Sequence, residues 1–72
     1  MTPYVHSASE FGAQLRARRK SLKLSQTSLA DVIGVNRRVL GQLEHGKGTV
    51  QLQIAIEAAR AVGLDITLVS RG

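Results

Sequence analysis

The stretch from Ser25 to Lys47 constrains the fold of this chain most strongly. Ser25 can cap a first helix, because its hydroxyl can accept a hydrogen bond from an unpaired N–H group at a helix start. Gly34 ends that helix by adopting the left-handed conformation at low steric cost, and Asn36 can cap a second helix. Apolar residues recur at helical spacing in both segments: Leu29, Ala30 and Ile33, then Leu40 and Leu43. The stretch predicts two short helices, about residues 26–33 and 37–45, joined by a three-residue turn.

A longer helix is predicted before this pair. Ser7 and Glu10 have the spacing of a capping box, in which a hydroxyl is followed three residues later by a carboxylate. The helix should run to about Leu22 and stop near Lys23. Gly12 is a poor helix former, so its position predicts close packing against another helix. One face of this helix is expected to comprise Phe11, Leu15, Arg18/Arg19 and Leu22, and Arg16, Lys20 and Lys23 can point outward.

A fourth helix and a strand are predicted after the pair. The helix runs from about Leu52 to Val62, and Gly63 ends it. Residues 64–69 alternate in character and are rich in β-branched side chains, which predicts a strand. A lone strand leaves its backbone groups unpaired, so we expect it to pair with the same strand of a second copy. Pairing with the N-terminal arm is the alternative. The helix-four stripe comprises Leu52, Ala55, Ile56, Ala59 and Val62, and the dimerisation residues are Leu64, Ile66, Thr67, Leu68 and Val69.

Composition and charge narrow the function. The 72 residues allow one domain, and the net charge is +5. Seven basic residues lie in one third of the chain, which favours a polyanion partner, although a merely solvated basic face would have the same composition. Few aromatic residues disfavour single-strand or RNA stacking. Without cysteine and with two isolated histidines, no metal site or cofactor is expected, and no membrane span or signal peptide is predicted, so a cytoplasmic protein is expected. The basic residues are Arg16, Arg18, Arg19, Lys20, Lys23, Arg37 and Arg38.

The chain resembles the Xre/Cro-type helix-turn-helix family of phage repressors and bacterial regulators. The residues that carry the resemblance are Leu15-Arg16, Arg19, Leu24-Ser25-Gln26, Leu29-Ala30, Gly34-Val35, Leu40, Leu43-Glu44 and Gly46. The final strand is similar to the HipB-like antitoxin branch of this family. The resemblance implies an all-α, lambda-repressor-like domain of four to five helices with a C-terminal strand that pairs across a homodimer. The expected organisation is an arm at 1–7, a DNA-binding domain at 8–63 and a dimerisation tail at 64–72.

The third helix is the expected DNA reader, because an α-helix fits the major groove of DNA. Arginine can make a bidentate contact with guanine and glutamine one with adenine. Adjacent positions on a helix point about 100° apart, so Arg37 and Arg38 are not both expected to read bases. Gly41 either lets the helix seat closely on DNA or packs against another helix. The predicted DNA-binding residues are Ser25, Gln26, Thr27, Asn36, Arg37, Arg38, Gln42, His45 and Lys47.

Two of the matched positions have a second interpretation. In the family that the chain resembles, the residues matching Arg19 and Glu44 form a partly buried ion pair, so we expect this pair here. Arg19 could instead bind phosphate as a bare cation. Gln26 matches a position that holds the DNA backbone, although glutamine is also a good residue at the start of a helix.

The expected function is that of a dimeric, sequence-specific DNA-binding repressor. The resemblance to the HipB-like branch implies an antitoxin that autoregulates its operon, and a HipA-like kinase toxin is then a candidate partner. The alternatives are a stand-alone regulator of the same family and a protein-interaction adaptor without its own operator. An enzyme is not expected, because the chain has few carboxylates, no catalytic residues in a recognisable arrangement and too little mass to enclose a substrate.

Overall fold

The computed structural model describes residues 4–72. It contains four helices in this range: α1 (Ala8–Ser21), α2 (Gln26–Ile33), α3 (Arg37–Glu44) and α4 (Leu52–Ala61). These are the four helices that the sequence predicts, so the all-α helical domain is confirmed. α1 packs on α3, and α2 packs on both α3 and α4. Between residues 4 and 72, none of the helices has the length and hydropathy that a membrane crossing requires.

The first three helices begin at the predicted cap residues. The Ser7 hydroxyl accepts from the N–H of Glu10 at 3.0 Å, and the Ser25 hydroxyl accepts from the N–H of Ser28 at 3.0 Å. Asn36 caps α3 through its side-chain oxygen, which accepts from the N–H of a residue three positions on at 2.9 Å. Each cap satisfies one of the N–H groups that a helix leaves unpaired at its start. These starts are therefore set by residues a few positions apart in sequence.

The four helices also end alike. A residue with positive φ follows each one, and the N–H group after it donates to the carbonyl five positions earlier. This arrangement, the Schellman motif, pairs carbonyls that would otherwise lack donors. Lys23 takes this conformation at φ 59°, where an L side chain is disfavoured. The positive-φ residues are Lys23, Gly34, Gly46 and Gly63, and the bonds run from Leu24 to Arg19, Val35 to Ala30, Lys47 to Gln42 and Leu64 to Ala59, at 2.8–3.2 Å.

The core lies where the four helices meet. Its largest fully buried side chains come from one residue of each helix: Leu15, Leu29 and Leu40, with Val62 at the end of α4. Gly12 meets the expectation of close packing, because a Cβ there would lie 2.6 Å from the carbonyl oxygen of Glu44. The fold therefore brings α1 directly against the end of α3.

Two expected core residues are exposed. Leu22 is 41% exposed and Leu52 is 72% exposed, so their assignment to apolar helix faces was wrong. The buried stripe of α4 starts one turn later and includes Ala58, which the sequence reading left out. Alanine side chains are small, and they allow α4 to lie close to α2. Leu52 precedes this buried stripe, and its side chain is exposed.

The tail does not form a strand within one chain. Residues 64–72 contain neither helix nor strand, and no backbone hydrogen bond joins them to residues 4–6 in the described part of the chain. Leu64 packs against the core, whereas Ile66, Leu68 and Val69 are 47%, 95% and 60% exposed. The predicted strand would need hydrogen bonds from a second chain, so the strand and its pairing stay predictions. The arm expected at 1–7 is described only from Tyr4 onward, and its first three residues lie outside the described range.

Candidate nucleic-acid interface

α3 presents a polar face on the side opposite to its buried residues. Leu40, Leu43 and Glu44 are buried, and Arg37 and Arg38 are exposed. At about 100° per residue, Arg38 lies roughly 165° from the centre of the buried side, whereas Arg37 lies only roughly 65° from it. Arg38 therefore points directly away from the core, and Arg37 lies on the flank of the helix.

Gln42 and Lys47 lie together at one side of this face. Gln42 is half-buried, and it is one turn after Arg38 on the exposed side of α3. It shares a cavity of about 250 Å³ with the exposed Lys47, between α3 and the start of α4. The remaining residues lining this cavity are Val39, Thr49, Val50, Gln51 and Ile54. The structure thus brings an amide and a cation to the same edge of α3.

The predicted site residues at the helix ends have partners within the chain. The Ser25 hydroxyl accepts the cap hydrogen bond of α2 and donates to the hydroxyl of Ser28 at 3.0 Å. Asn36 is the cap of α3. His45 donates from Nδ1 to the carbonyl of Gly41 at 2.7 Å, because a carbonyl can only accept. Thr27 is exposed at the first turn of α2. The exposed atoms of these residues remain free to meet a ligand.

Arg19 and Glu44 form the ion pair that the resemblance implied. Nε of Arg19 donates to Oε2 of Glu44 at 2.6 Å, and Nη2 donates to Oε1 at 3.0 Å. The third guanidinium nitrogen, Nη1, donates to the carbonyl of Leu24 at 2.8 Å. The Glu44 side chain is fully buried and that of Arg19 is 8% exposed. All three guanidinium nitrogens of Arg19 therefore donate inside the fold, which favours the ion pair over the alternative of a phosphate contact.

The Glu44 carboxyl is held in its charged form. Burial by itself raises the pKa of Glu44, because removal from water disfavours the charge. The hydrogen bonds from Arg19 and Gln26, with the positive charges of Arg19 and Arg16, outweigh burial and lower the pKa below its ordinary value of 4.5. The pair is therefore ionised at neutral pH.

Gln26 is connected to the same carboxylate. Its Nε2 donates to Oε1 of Glu44 at 3.0 Å, so the first residue of α2 is tied to the last residue of α3. Its amide lies beside Gly41, where an added Cβ would be 3.9 Å from Nε2. That distance is an ordinary van der Waals contact, so helix packing does not require a glycine at this position. The absence of a side chain at position 41 leaves the surface of α3 open.

Arg18 has a structural contact that sequence reasoning missed. Its Nε donates to the carbonyl of Val62 at 2.8 Å, at the carboxyl end of α4. A cation is favourable there, because the last carbonyls of a helix carry partial negative charge. The sequence counts Arg18 only among the seven clustered basic residues, and nothing near it in sequence points to a residue 44 positions away. Arg16 and Lys20 are also exposed cations of α1, and the exposed Lys23 follows the helix.

Comparison with known proteins finds relatives with a helix-turn-helix domain. Residues 15–69 match the model of the helix-turn-helix family HTH_3. An uncharacterised HTH-type transcriptional regulator, y4mF of Sinorhizobium fredii (strain NBRC 101917 / NGR234), is 32% identical over all 72 residues of this chain, which cover 95% of the relative.

Two solved structures have the same fold. The chain superposes on a chain of a HipB–O4 20mer complex with a TM-score of 0.87, covering 99% of this chain and 100% of the other. The TM-score is 0.88, with the same coverage, for a chain of a HipA–HipB–O2–O3 complex. Sequence identity is 17% in both cases, so these likenesses concern the fold.

Proposed function

The chain belongs to the HTH_3 helix-turn-helix family of transcriptional regulators, and we propose that it is a sequence-specific repressor that binds double-stranded DNA as a homodimer. The observation that carries this proposal is the outward direction of Arg38 and Gln42 from a helix whose other side is buried. Side chains on one exposed helix face can reach base edges when the helix enters the major groove.

In this proposal the two adjacent arginines of α3 have different tasks. Arg38 and Gln42 face the bases, because they lie farthest from the buried side of the helix. Arg37 lies on the flank, where a phosphate is the nearer target in a groove. Neither arginine forms an ion pair with a carboxylate of residues 4–72, so both positive charges are available to DNA. Arg38 therefore supplies specificity and Arg37 supplies backbone affinity.

The DNA backbone is contacted on both sides of this face. Gln26 and Thr27 lie at the start of α2, where N–H groups and polar side chains favour a phosphate. His45 and Lys47 lie at the other end of the site, after α3. Ser25 and Asn36 support these contacts mainly as caps that hold the two helices in place. Such contacts position a protein on DNA without reading its sequence.

The exposed apolar tail supports the homodimer. The side chains of Ile66, Leu68 and Val69 are exposed in the single chain. Together with Tyr4, Val5, Phe11 and other residues, the tail lines a cavity of about 730 Å³. The tail of a second copy, placed antiparallel, would supply the missing backbone partners and cover these side chains. Twin α3 helices could then read half-sites about one DNA turn, ~34–36 Å, apart.

The finer proposal is an antitoxin that represses its own operon. The fold is shared with chains of a HipB–O4 20mer complex and of a HipA–HipB–O2–O3 complex, and that likeness supports this proposal. A HipA-like kinase toxin is the partner that this proposal requires. A toxin reading frame beside the gene, whose product copurifies with this chain, would support it; a gene with no such neighbour would favour the stand-alone regulator.

Fluorescence anisotropy on the DNA upstream of the gene tests the reading face. We expect Arg38→Ala to weaken binding by about 1–3 kcal/mol and to relax specificity at one base position. Arg37→Ala should weaken binding to all sequences alike and reduce the salt dependence by about one phosphate contact. Arg60→Ala, which removes an equal charge from the exposed side of α4, is the matched control and should change affinity little. Equal behaviour of all three variants would favour an adaptor without its own operator.

A further inference from the structure

The buried carboxylate of Glu44 serves two partners at once. Its Oε1 accepts from Nη2 of Arg19 and from Nε2 of Gln26, both at 3.0 Å. Arg19 comes from α1, Glu44 ends α3 and Gln26 begins α2, so one carboxylate joins three helices. The third partner, Gln26, lies at the helix start where the proposed function places a contact with the DNA backbone.

We propose that Glu44 is a positioning residue that orients the Gln26 amide toward a DNA phosphate. This rests on the proposed function, in which Gln26 contacts the backbone. A carboxylate can only accept hydrogen bonds, so it selects the amide nitrogen of Gln26 and excludes the amide oxygen. One N–H of Nε2 is thereby directed inward, and its second N–H remains as a donor. A phosphate needs such a donor, because its oxygens only accept.

The pair with Arg19 makes Glu44 a rigid support. Both carboxylate oxygens are held by the guanidinium, and Nη1 of Arg19 is anchored on the Leu24 carbonyl. A glutamine on a helix surface otherwise samples several rotamers, and ordering it on binding costs conformational entropy. Because Gln26 is already held in the free protein, less of this entropy is lost when DNA binds.

A charge-neutral exchange separates positioning from stability. The variant Arg19→Met with Glu44→Met removes the carboxylate without leaving an unpaired buried charge, and apolar replacement of a whole buried pair is often tolerated. Its net charge stays at +5, since one cation and one anion are lost together. Thermal unfolding establishes that it is folded. Affinity for the upstream DNA is then measured for the parent, the exchange, Gln26→Ala and the combination of both.

Positioning predicts that the effects do not add. The exchange should lower affinity about tenfold, as expected for a weakened hydrogen bond to a charged group. Gln26→Ala should weaken the parent by a similar factor and have almost no further effect in the exchanged background. The salt dependence of the exchange should equal that of the parent, because no charge at the interface has changed. Additive effects, or unchanged affinity in the folded exchange, overturn the proposal.

The free protein gives a second readout. The side-chain amide signals of Gln26 in a ¹⁵N–¹H spectrum should show a restrained group in the parent and a mobile one in the exchange. A mobile amide in the parent overturns the positioning role, whatever the DNA affinities are. If the parent does not bind the upstream DNA, the proposed function fails and the positioning role fails with it. If the parent binds but the effects add, only the positioning role fails.

Discussion

The helix pair at 25–47 and the tail at 64–72 differ in how their backbone groups are satisfied. Each helix of the pair has a side-chain cap at its start and a Schellman motif at its end, and Leu29, Leu40 and Leu43 are buried beneath it. The tail has a comparable share of apolar residues, yet Leu68 is 95% exposed and no strand forms there.

The difference shows which elements a small chain can complete alone. Helical hydrogen bonds join residues four apart, so a short helix needs only caps and one apolar face. Strand hydrogen bonds require another strand, and none is present between residues 4 and 72. In the proposed dimer, the helix pair therefore reads DNA as part of each chain, whereas the tail forms a strand only by association.

The largest expected effect comes from removing the Glu44 side chain, which supports the helix pair. Glu44→Ala leaves the buried guanidinium of Arg19 without its partner, and removing one member of a buried pair costs about 3–5 kcal/mol. This approaches the whole stability of a small domain. Urea unfolding followed by circular dichroism measures the loss. Asp31→Ala, which removes an exposed carboxylate from α2, is the control and should stay within about 0.5 kcal/mol.

Acidification should reproduce part of this loss. The pKa of Glu44 is lower in the folded chain than its ordinary value of 4.5. The unfolded state therefore binds the proton more readily. The Arg19–Glu44 ion pair contributes to stability above pH 4.5, and this contribution is lost as the pH falls through the folded pKa. Glu44→Ala should lack this component of the acid transition. An identical acid transition in parent and variant would mean that Glu44 does not contribute in this way.

Shortening the tail should change the stability of the helices less, but it should abolish dimer formation. Deletion of residues 65–72 retains Leu64, which packs on the core and completes the end of α4. We expect a helical monomer, because only the exposed apolar segment is lost. Sedimentation velocity measures the mass. Val32→Ser is the control: it changes an apolar residue of α2 that is 72% exposed, within the range of the tail residues, and it should keep the parent mass. A shortened chain that still dimerises would place the interface elsewhere.

The smallest expected change is at Gly41 on the reading helix. Gly41→Ala should stabilise α3 by about 0.5–1 kcal/mol, because glycine is a poor residue inside a helix and an added methyl meets only an ordinary contact with Gln26. If α3 seats closely in the groove, the same variant should bind DNA more weakly although it is more stable. Thermal unfolding and anisotropy on one preparation measure both. A gain in stability with unchanged DNA affinity would show that close seating at Gly41 is not used.

Much of the fold follows from short-range patterns. Ser7, Ser25 and Asn36 cap helices as predicted, and Gly34 and Gly63 follow helix ends as predicted. These features depend on residues within three to five positions, so a local pattern suffices. Leu22 and Leu52 were wrongly assigned to buried faces, because helical spacing alone does not show which neighbouring element covers a residue.

The candidate site was predicted as a set of residues, and the structure added how those residues are arranged. The pattern of α3 indicated Arg37, Arg38 and Gln42 together, and only the burial of Leu40, Leu43 and Glu44 defined which of the three faces directly outward. The hydrogen bond from Arg18 to the Val62 carbonyl could not be predicted either, because the two residues are distant in sequence.

The sequence by itself determined the four helices, their starts and ends, and the concentration of positive charge beside the helix pair. These follow from local hydrogen bonding and composition. Only the tertiary structure decided that Gln26 shares the carboxylate of Glu44, that Arg18 holds the end of α4, and that the tail has no partner strand between residues 4 and 72. Long polar side chains and strands take their partners from elements far away in sequence, and the packing of helices decides which of those partners come within reach.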